Sequence, residues 1–186
     1  MSNYFFYTGN AYPHKNLGRL IEAIVLLNKG EGVEIHLKIA SSRDVFIERL
    51  EKLIAKLGAE KYVELLGFVP DEKMAELYRN SLGLVFPSLS EGFGLPGIEA
   101  MEAGTLVLCS DIPVFREIYG KAAIYFNPFD FSSIEKAMRN AGSLRSNERS
   151  EMIDFGKKFA KRYSWAKMAR QTLKLYEESG SSLRSG

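Results

Sequence analysis

Short apolar runs alternate with amphipathic stretches along most of the chain. The runs cover residues 4–8, 34–39, 62–66, 83–86, 106–110 and 123–126, and most are too apolar for a sheet with one solvated face. Between the runs lie stripes at helical spacing, first Leu17, Leu20, Ile21, Ile24 and Val25, then Phe46, Leu50, Leu53, Ile54 and Leu57. Strands buried on both faces and separated by helices are typical of a parallel sheet. The pattern predicts an α/β fold with a doubly wound, parallel six-stranded sheet flanked by helices.

Three successive helices are predicted after the sixth strand, over residues 133–140, 147–163 and 165–178. The second carries an apolar face of Met152, Phe155, Phe159 and Tyr163, and the third one of Trp165, Met168, Ala169, Thr172, Leu173 and Tyr176. We expect both faces to cover other apolar surface. Residues 179–186 are mostly small and polar, which predicts a flexible tail, either a native linker or a remnant of cloning. The folded domain is therefore predicted to span residues 3–178.

The composition disfavours several classes of protein. Lys and Arg total 25 against 23 Asp and Glu, a net charge of +2, and the basic residues are dispersed, so no nucleic-acid partner is expected. The apolar runs fall far short of the roughly 20 residues that span a bilayer, so no transmembrane segment is expected. The start of the chain shows no signal-peptide pattern, and the single Cys109 cannot form an intrachain disulfide. We therefore expect a cytoplasmic location.

Ligands of an open parallel sheet bind beyond the carboxyl ends of its strands. The loops at that edge are predicted at residues 9–16, 40–44, 67–71 and 87–96. Reactive groups are therefore expected in these four loops.

The loop after the fourth strand carries the densest set of candidate residues. Its glycines permit close approach to the backbone, and Pro96 suits the first turn of the helix that follows. The N-terminus of such a helix is a natural anion site. Because Glu91 and Glu99 would repel a phosphate that they touched, we expect these carboxylates to accept hydrogen bonds from hydroxyl-rich groups.

Two other interpretations of this loop are open. Residues 92–97 spell G-x-G-x-x-G, a dinucleotide-binding pattern, but they follow the fourth strand, and the next acid after a strand, Asp111, comes only fourteen residues after Gly97. The loop would otherwise be a tight strand-to-helix turn, with Glu99 as a solvated acid that is favourable to the helix dipole.

A second candidate site is the loop at residues 9–17, with the sequence GNAYPHKNL. Asn16 is the predicted N-cap of the next helix, which leaves Lys15 at the rim of the sheet. A lysine there supplies a point charge to a phosphate. The alternative is a solvated lysine beside an ordinary turn.

The segment SEGFGLPGIEAM at residues 90–101 resembles the E-x7-E signature of glycosyltransferase family 4, retaining enzymes of the two-domain GT-B fold. Gly9 with residues 13–17 is similar to the family's G-x-x-x-P-[RH]-K-N-L loop, and residues 66–71 to its base-binding segment. Further segments in family order lie at residues 104–107, 115–118, 126–128 and 163–165. The resemblance covers residues 3–178 and implies a Rossmann-like domain, one half of a GT-B fold.

The resemblance implies a role for each matched residue. Glu99 would bind the ribose hydroxyls of a UDP- or GDP-linked sugar, and Glu91 the transferred sugar. The diphosphate would be bound by Lys15 and the loop amides, and the base by the backbone at Val69 and Pro70. The residues predicted to contact the donor are therefore Gly9, Asn10, Lys15, Val69, Pro70, Gly92, Phe93, Gly94, Leu95 and Glu99, and Glu91 and Lys15 are the predicted catalytic residues.

The resemblance also bears on the chemistry. Paired carboxylates would suggest a nucleophile and an acid, as in glycosidases. The family instead favours front-face attack, with the leaving phosphate as base, so Glu91 is assigned to donor positioning. No D-x-D motif occurs in the sequence, and neither a metal nor another cofactor is expected. Many relatives carry arginine where this chain has Asn10, which shifts the stabilisation of the leaving group towards Lys15.

The function implied is the donor-binding half of a retaining hexosyltransferase in polysaccharide biosynthesis. Its partner would be an N-terminal acceptor-binding domain, and without that domain we expect nucleotide binding but little turnover. Peripheral membrane contact of the full enzyme stays open. The alternative is a non-catalytic nucleotide-binding or scaffolding domain of the same fold.

Overall fold

A computed structural model describes residues 3–183 of the chain except residues 31, 33, 43 and 44. Six strands form one sheet: β1 Tyr4–Thr8, β2 His36–Ala40, β3 Val63–Gly67, β4 Leu84–Phe86, β5 Val107–Ser110 and β6 Ile124–Phe126. Their order is β3-β2-β1-β4-β5-β6, and every pairing is parallel. The predicted doubly wound six-stranded parallel sheet is confirmed.

The centre of the sheet is the junction between β1 and β4. Strand β1 pairs with β2 from Tyr4↔His36 to Thr8↔Ala40, and with β4 through Phe6↔Leu84. The chain builds the sheet outwards from β1 in one direction and then from β4 in the other. Loops that leave these two strands therefore diverge and open a crevice at the carboxyl edge.

Eight α-helices surround the sheet in the described part of the chain. They are α1 Leu17–Leu27, α2 Val45–Lys56, α3 Asp71–Arg79, α4 Leu95–Ala103, α5 Pro113–Tyr119, α6 Phe131–Gly142, α7 Ser146–Ala160 and α8 Trp165–Leu183, and a 3-10 turn covers Pro13–Lys15. Helix α1 packs against α2 and α6, whereas α4 packs against α3 and α7. Pro96 lies in the first turn of α4, as predicted.

The core lies between the sheet and these helices. Phe5, Phe6 and Tyr7 of β1 are fully buried, as are Leu20 and Ile24 of α1. Consecutive buried residues on one strand show that both faces of the sheet are covered. Each large side chain buried in this way contributes about 1.5–3 kcal/mol to folding.

The predicted apolar face of α7 is only partly buried. Met152 and Phe155 are exposed, whereas the buried residues of the helix are Gly156 and Ala160. A Cβ at Gly156 would lie 3.4 Å from Cγ of Met101 on α4. Because small residues allow two helices to approach closely, α7 packs through its small residues, and the expectation based on its large ones was wrong at these positions.

Helix α8 extends to Leu183, beyond the predicted end at residue 178, and residues 184–186 lie outside the described residues. Trp165 is 70% exposed and Tyr176 is 73% exposed, so the predicted apolar face of this helix is largely uncovered. In the predicted loop at residues 40–44, positions 43 and 44 also lie outside the described residues.

Candidate functional site at the carboxyl edge of the sheet

A cleft of about 750 Å³ opens at the carboxyl edge of the sheet. Its floor includes the ends of three strands, at Gly9, Ser41 and Gly67, and its sides come from α3 and α4. Of the predicted site residues, Gly9, Val69 and Glu99 line this cleft. Pockets of this size hold small molecules and cofactors.

Glu99 projects from α4 at the side of the cleft. Its Oε2 accepts a hydrogen bond of 3.2 Å from the hydroxyl of Tyr78 on α3. Burial, together with the nearby Glu99 carboxylate, raises the pKa of Tyr78, so this hydroxyl stays protonated and remains a donor. Glu99 as a whole is exposed and lines the cleft, so it is accessible to a ligand there.

Lys15 and Glu91 form an ion pair at the β1–β4 junction, with Nζ and Oε1 2.5 Å apart. Lys15 ends the 3-10 turn after β1, and Glu91 lies in the loop after β4. Both side chains are largely buried, at 13% and 12% exposed, and the Lys15 ammonium lies 5.7 Å from the ring centroid of Phe86. A further link joins the same loops, because the Leu89 amide donates to the His14 carbonyl at 2.7 Å.

Gly92 and Gly94 precede α4, Gly97 lies in its first turn, and the three glycines have different structural surroundings. A Cβ at Gly94 would lie 2.2 Å from the Tyr119 hydroxyl, and one at Gly97 would lie 2.4 Å from the same side chain. The buried Tyr119 hydroxyl donates a hydrogen bond to the Gly94 carbonyl. Gly92, in contrast, faces open space. Packing against Tyr119 therefore requires glycine at positions 94 and 97, and close approach of a ligand can account only for Gly92.

The backbone amides of residues 92–95 make no hydrogen bond within the described part of the chain. They precede or begin α4, where amide groups point outwards and the helix dipole favours negative charge. Phe93 beside them packs edge-to-face on Tyr163, with ring centroids 5.5 Å apart. The loop thus combines available donors with a side chain anchored to the domain.

The predicted base-binding segment forms the far end of the cleft. Gly67 has a φ of +70°, which turns the chain out of β3, and its carbonyl accepts a bond from the Ser41 amide at 3.0 Å. Val69 lines the cleft, but Pro70 is exposed and precedes α3 outside the lining. The structure therefore brings only the first of these two residues to the cleft.

Asn10 is occupied by local contacts rather than by the cleft. Its carbonyl accepts a bond of 2.7 Å from the Tyr7 hydroxyl, and its Oδ1 accepts one of 3.4 Å from the Tyr12 amide. The adjacent Gly9 lines the cleft, and its amide donates to the Ala40 carbonyl at 3.1 Å. Of these two neighbours, only Gly9 faces the cleft.

Asn16 is the N-cap residue of α1, as predicted, but its side chain does not cap the helix. Asn16 precedes α1 in the left-handed conformation, with a φ of 58°, and its side chain makes no capping bond. Its Nδ2 instead donates to the carbonyl of Pro87, at 3.1 Å, and to that of Pro128, at 2.8 Å. The residue therefore ties three loops together next to Lys15.

Tyr78 was missed by the sequence reasoning because nothing in the chain marks it as more than a core residue. The one available signal is chemical: a buried tyrosine needs a partner for its hydroxyl.

In the described residues no group of three or more His, Cys, Asp or Glu could hold a metal ion. The described helices also include none that is long and apolar enough to cross a membrane.

The fold defines a Rossmann-like domain, and its cleft lies at the carboxyl edge of the sheet, where domains of this class bind their ligands. The profile of the family described as "Glycosyl transferases group 1" matches residues 1–159. The chain belongs to this family.

Named relatives are similar to the chain over part of their length. The O-antigen chain mannosyltransferase RfbU of Salmonella typhimurium is 36% identical over 142 residues, which are 76% of this chain and 39% of the relative. The O-antigen chain mannosyltransferase B of Escherichia coli is 32% identical over 175 residues, 94% of this chain and 45% of the relative. The chain thus spans less than half the length of these two relatives.

Solved structures share the fold. Sucrose-phosphate synthase of Thermosynechococcus elongatus matches with a TM-score of 0.87 at 21% identity, over 97% of this chain and 46% of that one. The pneumococcal O-GlcNAc transferase GtfA, solved in complex with UDP and GlcNAc, matches with a TM-score of 0.76 at 21% identity, over 95% and 35%. The chain therefore has the fold of one half of a GT-B glycosyltransferase.

Proposed function

We propose that this chain binds the nucleoside diphosphate of a sugar donor and forms the donor-binding half of a retaining glycosyltransferase. One observation carries the proposal: a cleft with an accessible carboxylate, Glu99, shares its sheet edge with the Lys15–Glu91 pair and with the unpartnered amides of residues 92–95. One edge of the sheet thus carries hydrogen-bond acceptors for hydroxyl groups and hydrogen-bond donors for a phosphate. A nucleoside diphosphate needs both.

Each part of the donor has a proposed set of partners. The ribose hydroxyls donate to Glu99, and the base lies against the backbone at Val69, beside the exposed Pro70. Gly9 and Asn10 adjoin the diphosphate, and of these two Gly9 lines the cleft. No metal or other cofactor is part of the proposal.

Lys15 and the amides of residues 92–95 are proposed to stabilise the diphosphate as the glycosidic bond breaks. Negative charge grows on the leaving group in that step, so preorganised donors lower the barrier. Hydrogen bonds to charged groups contribute about 1.5–3 kcal/mol each. Glu91, already paired with the Lys15 ammonium, is a weaker nucleophile than a free carboxylate, and this supports a role in positioning the sugar and the lysine.

The names of the relatives extend the proposal to the sugar that is transferred and to the biosynthetic process in which the enzyme acts. Both O-antigen relatives are named mannosyltransferases, so we propose a mannosyl donor and a role in polysaccharide assembly. The acceptor would be bound by a second domain, which fits the partial coverage of the relatives. A cytoplasmic location, and peripheral membrane contact of the complete enzyme, stay part of the proposal.

Calorimetric titration of the 186-residue chain with GDP and with UDP tests the donor site. We expect at least one of the two to bind. Absence of binding for both at millimolar ligand would refute the donor site and favour a scaffolding domain of the same fold.

Substitution of Lys15 tests its assignment to the diphosphate. Lys15→Ala is expected to weaken nucleoside diphosphate binding at least tenfold, and nucleoside binding much less. Lys38→Ala is a matched control, because Lys38 also pairs with a glutamate, Glu64, and lies over an aromatic ring, that of Tyr4, but on β2 away from the cleft. Equal losses of diphosphate and nucleoside binding in Lys15→Ala would contradict the assignment.

Glu99→Ala tests the ribose contact by the same titration. The variant should bind ribonucleotides more weakly, whereas 2′,3′-dideoxy analogues, which lack the hydroxyls, should bind as they do to the wild type. A parallel loss for both kinds of ligand would remove Glu99 from the ribose site.

A further inference from the structure

Tyr78 is the buried neighbour of the proposed ribose-binding carboxylate. It lies on α3 at the side of the cleft, and its hydroxyl donates to Oε2 of Glu99 at 3.2 Å. Glu99 lies on a different helix, α4, so the hydrogen bond joins the two sides of the cleft. The proposed reaction assigns no role to Tyr78.

The tyrosine ring is held in place by the core. Tyr78 is 2% exposed, and its ring packs edge-to-face on Phe6 of β1, with centroids 5.3 Å apart. Its carbonyl accepts a hydrogen bond of 2.7 Å from the Ser81 hydroxyl. The Tyr78 hydroxyl is therefore a fixed donor, because few rotamers are open to a side chain packed in this way.

Glu99 has the opposite surroundings. It is exposed on a helix surface, where an unrestrained glutamate samples several rotamers and loses that freedom when it binds a ligand. A hydrogen bond to one oxygen restricts the carboxylate beforehand. The second oxygen and the remaining lone pairs still accept from other donors.

We infer that Tyr78 is a positioning residue for nucleotide binding: its hydroxyl orients the Glu99 carboxylate towards the two ribose hydroxyls of the donor. The inference rests on the proposed function and adds to it the residue that sets ribose selectivity. A purely structural Tyr78 would support the fold without affecting the choice between a ribose and a dideoxyribose.

The test compares Tyr78→Phe with the wild-type chain, using GDP, UDP and their 2′,3′-dideoxy analogues. We expect the affinity for the ribonucleotide to fall about three- to tenfold, less than the loss of a direct hydrogen bond to a charged group would cause, because Tyr78 acts on the ribose only through Glu99. The affinity for the dideoxy analogue should stay unchanged. The ratio of the two affinities is the decisive quantity, since general loosening of the site would lower both.

Tyr4→Phe is the matched control. The Tyr4 hydroxyl donates to the carbonyl of Leu77 at 2.9 Å, so this variant also loses a tyrosine hydroxyl that is bonded to α3, but not one that contacts Glu99. The ribose-to-dideoxyribose affinity ratio of Tyr4→Phe should equal that of the wild type. An equal change of the ratio in both variants would overturn the inference.

Two further measurements complete the test. With Glu99→Ala as the starting protein, which has no side-chain oxygen to accept the Tyr78 bond, addition of Tyr78→Phe should change the affinity ratio by less than about twofold, because the residues act as one unit. NMR of Cζ-labelled tyrosine in the wild-type chain should show a shift of the Tyr78 signal with the ribonucleotide and a smaller one with the dideoxy analogue.

If the wild type binds neither GDP nor UDP, the proposed function fails. If it prefers the ribonucleotide and Tyr78→Phe keeps that preference, only the role of Tyr78 is refuted.

Discussion

Nζ of Lys15 lies 2.5 Å from Oε1 of Glu91, so an ion pair joins two loops that are 76 residues apart in the chain. The loops leave β1 and β4, which are neighbours in the sheet. Both side chains are largely buried, so solvent screens their attraction less than it would at the surface. The pair therefore fixes the loops against each other and keeps an ammonium group at the edge where a ligand would bind.

Removal of the lysine charge alone should destabilise the protein. Lys15→Met keeps the aliphatic part of the side chain beside Phe86 but leaves the Glu91 carboxylate without its cation. We expect a loss of about 1–3 kcal/mol in the free energy of unfolding, below the value for a fully buried pair because both side chains retain some exposure. Urea denaturation at neutral pH measures it.

The double variant Lys15→Met/Glu91→Gln is the control for this interpretation. Because the uncharged amide does not need a cation, the double variant should be more stable than Lys15→Met by at least about 0.5 kcal/mol. If the double variant is no more stable than Lys15→Met, the loss in Lys15→Met does not come from an unpaired Glu91 carboxylate.

Periodicity predicted the sheet well because its strands are buried on both faces. Five of the six strand segments have an end shifted by one or two residues, and residues 4–8 form a strand as predicted. The spacing of apolar residues was less useful for predicting the buried face of α7, where the large residue Phe155 is exposed and the small residue Gly156 is buried. The hydrophobic pattern of the sequence cannot predict such packing, because the packing depends on how closely α4 approaches α7.

The candidate site was predictable in its location but not in its contacts. The strand-end rule selected the loops that carry Lys15 and Glu91, and these two residues form an ion pair at that edge. Glu99 lies beyond the selected loops, on α4 at the side of the cleft. Sequence reasoning assigned Lys15 and Glu91 to different parts of a ligand and did not foresee that they pair. Tyr78 contacts Glu99 across 21 positions of the chain, and no local pattern connects those residues.

Alanine substitutions at Gly97 and Gly92 compare a glycine that is required for packing with one that faces open space. Gly97→Ala would place a methyl group 2.4 Å from the buried Tyr119 ring, so we expect a loss of about 2 kcal/mol or more in the free energy of unfolding. Gly92→Ala meets open space and should change it by less than about 0.5 kcal/mol. Thermal and urea denaturation measure both. Similar losses in the two variants would show that Tyr119 is not the reason for Gly97.

The Asp111–Arg116 pair should make a small pH-dependent contribution to stability. The Arg116 guanidinium donates to both carboxylate oxygens, at 2.6 and 2.7 Å, and these bonds hold the pKa of Asp111 below its usual value. A lowered pKa in the folded state stabilises the protein above the unfolded pKa of about 3.9, and this stabilisation is lost as the pH falls through the folded value.

Asp111→Asn measures that contribution. Because the pair is about half exposed, the variant should be less stable than the wild type by at most about 0.5 kcal/mol at pH 7. The two proteins should converge at an acidic pH that lies below the lowered pKa of Asp111 in the folded state, where the wild-type carboxyl is protonated. Urea denaturation at both pH values gives the difference, and a difference that is independent of pH would contradict an ionic origin.

Asn16 joins three loops through one side-chain amide. Its Nδ2 donates to the carbonyls of Pro87 and Pro128, and its backbone has a left-handed φ of 58°. An aspartate tolerates this conformation nearly as well but cannot donate, and when ionised it brings a carboxylate against two carbonyl oxygens. Glycine adopts the conformation freely but has no side chain to bond.

These differences predict an order of stability for three variants. Asn16→Gly should lose about 1–2 kcal/mol from two hydrogen bonds, Asn16→Ala about 1 kcal/mol more from backbone strain, and Asn16→Asp at least as much as Asn16→Gly. Because Asn16 follows Lys15 directly, Asn16→Asp should also weaken GDP or UDP binding more than nucleoside binding. Urea denaturation and calorimetry measure the two effects. Equal stability of the aspartate and wild-type proteins would show that the amide donors do not hold the loops.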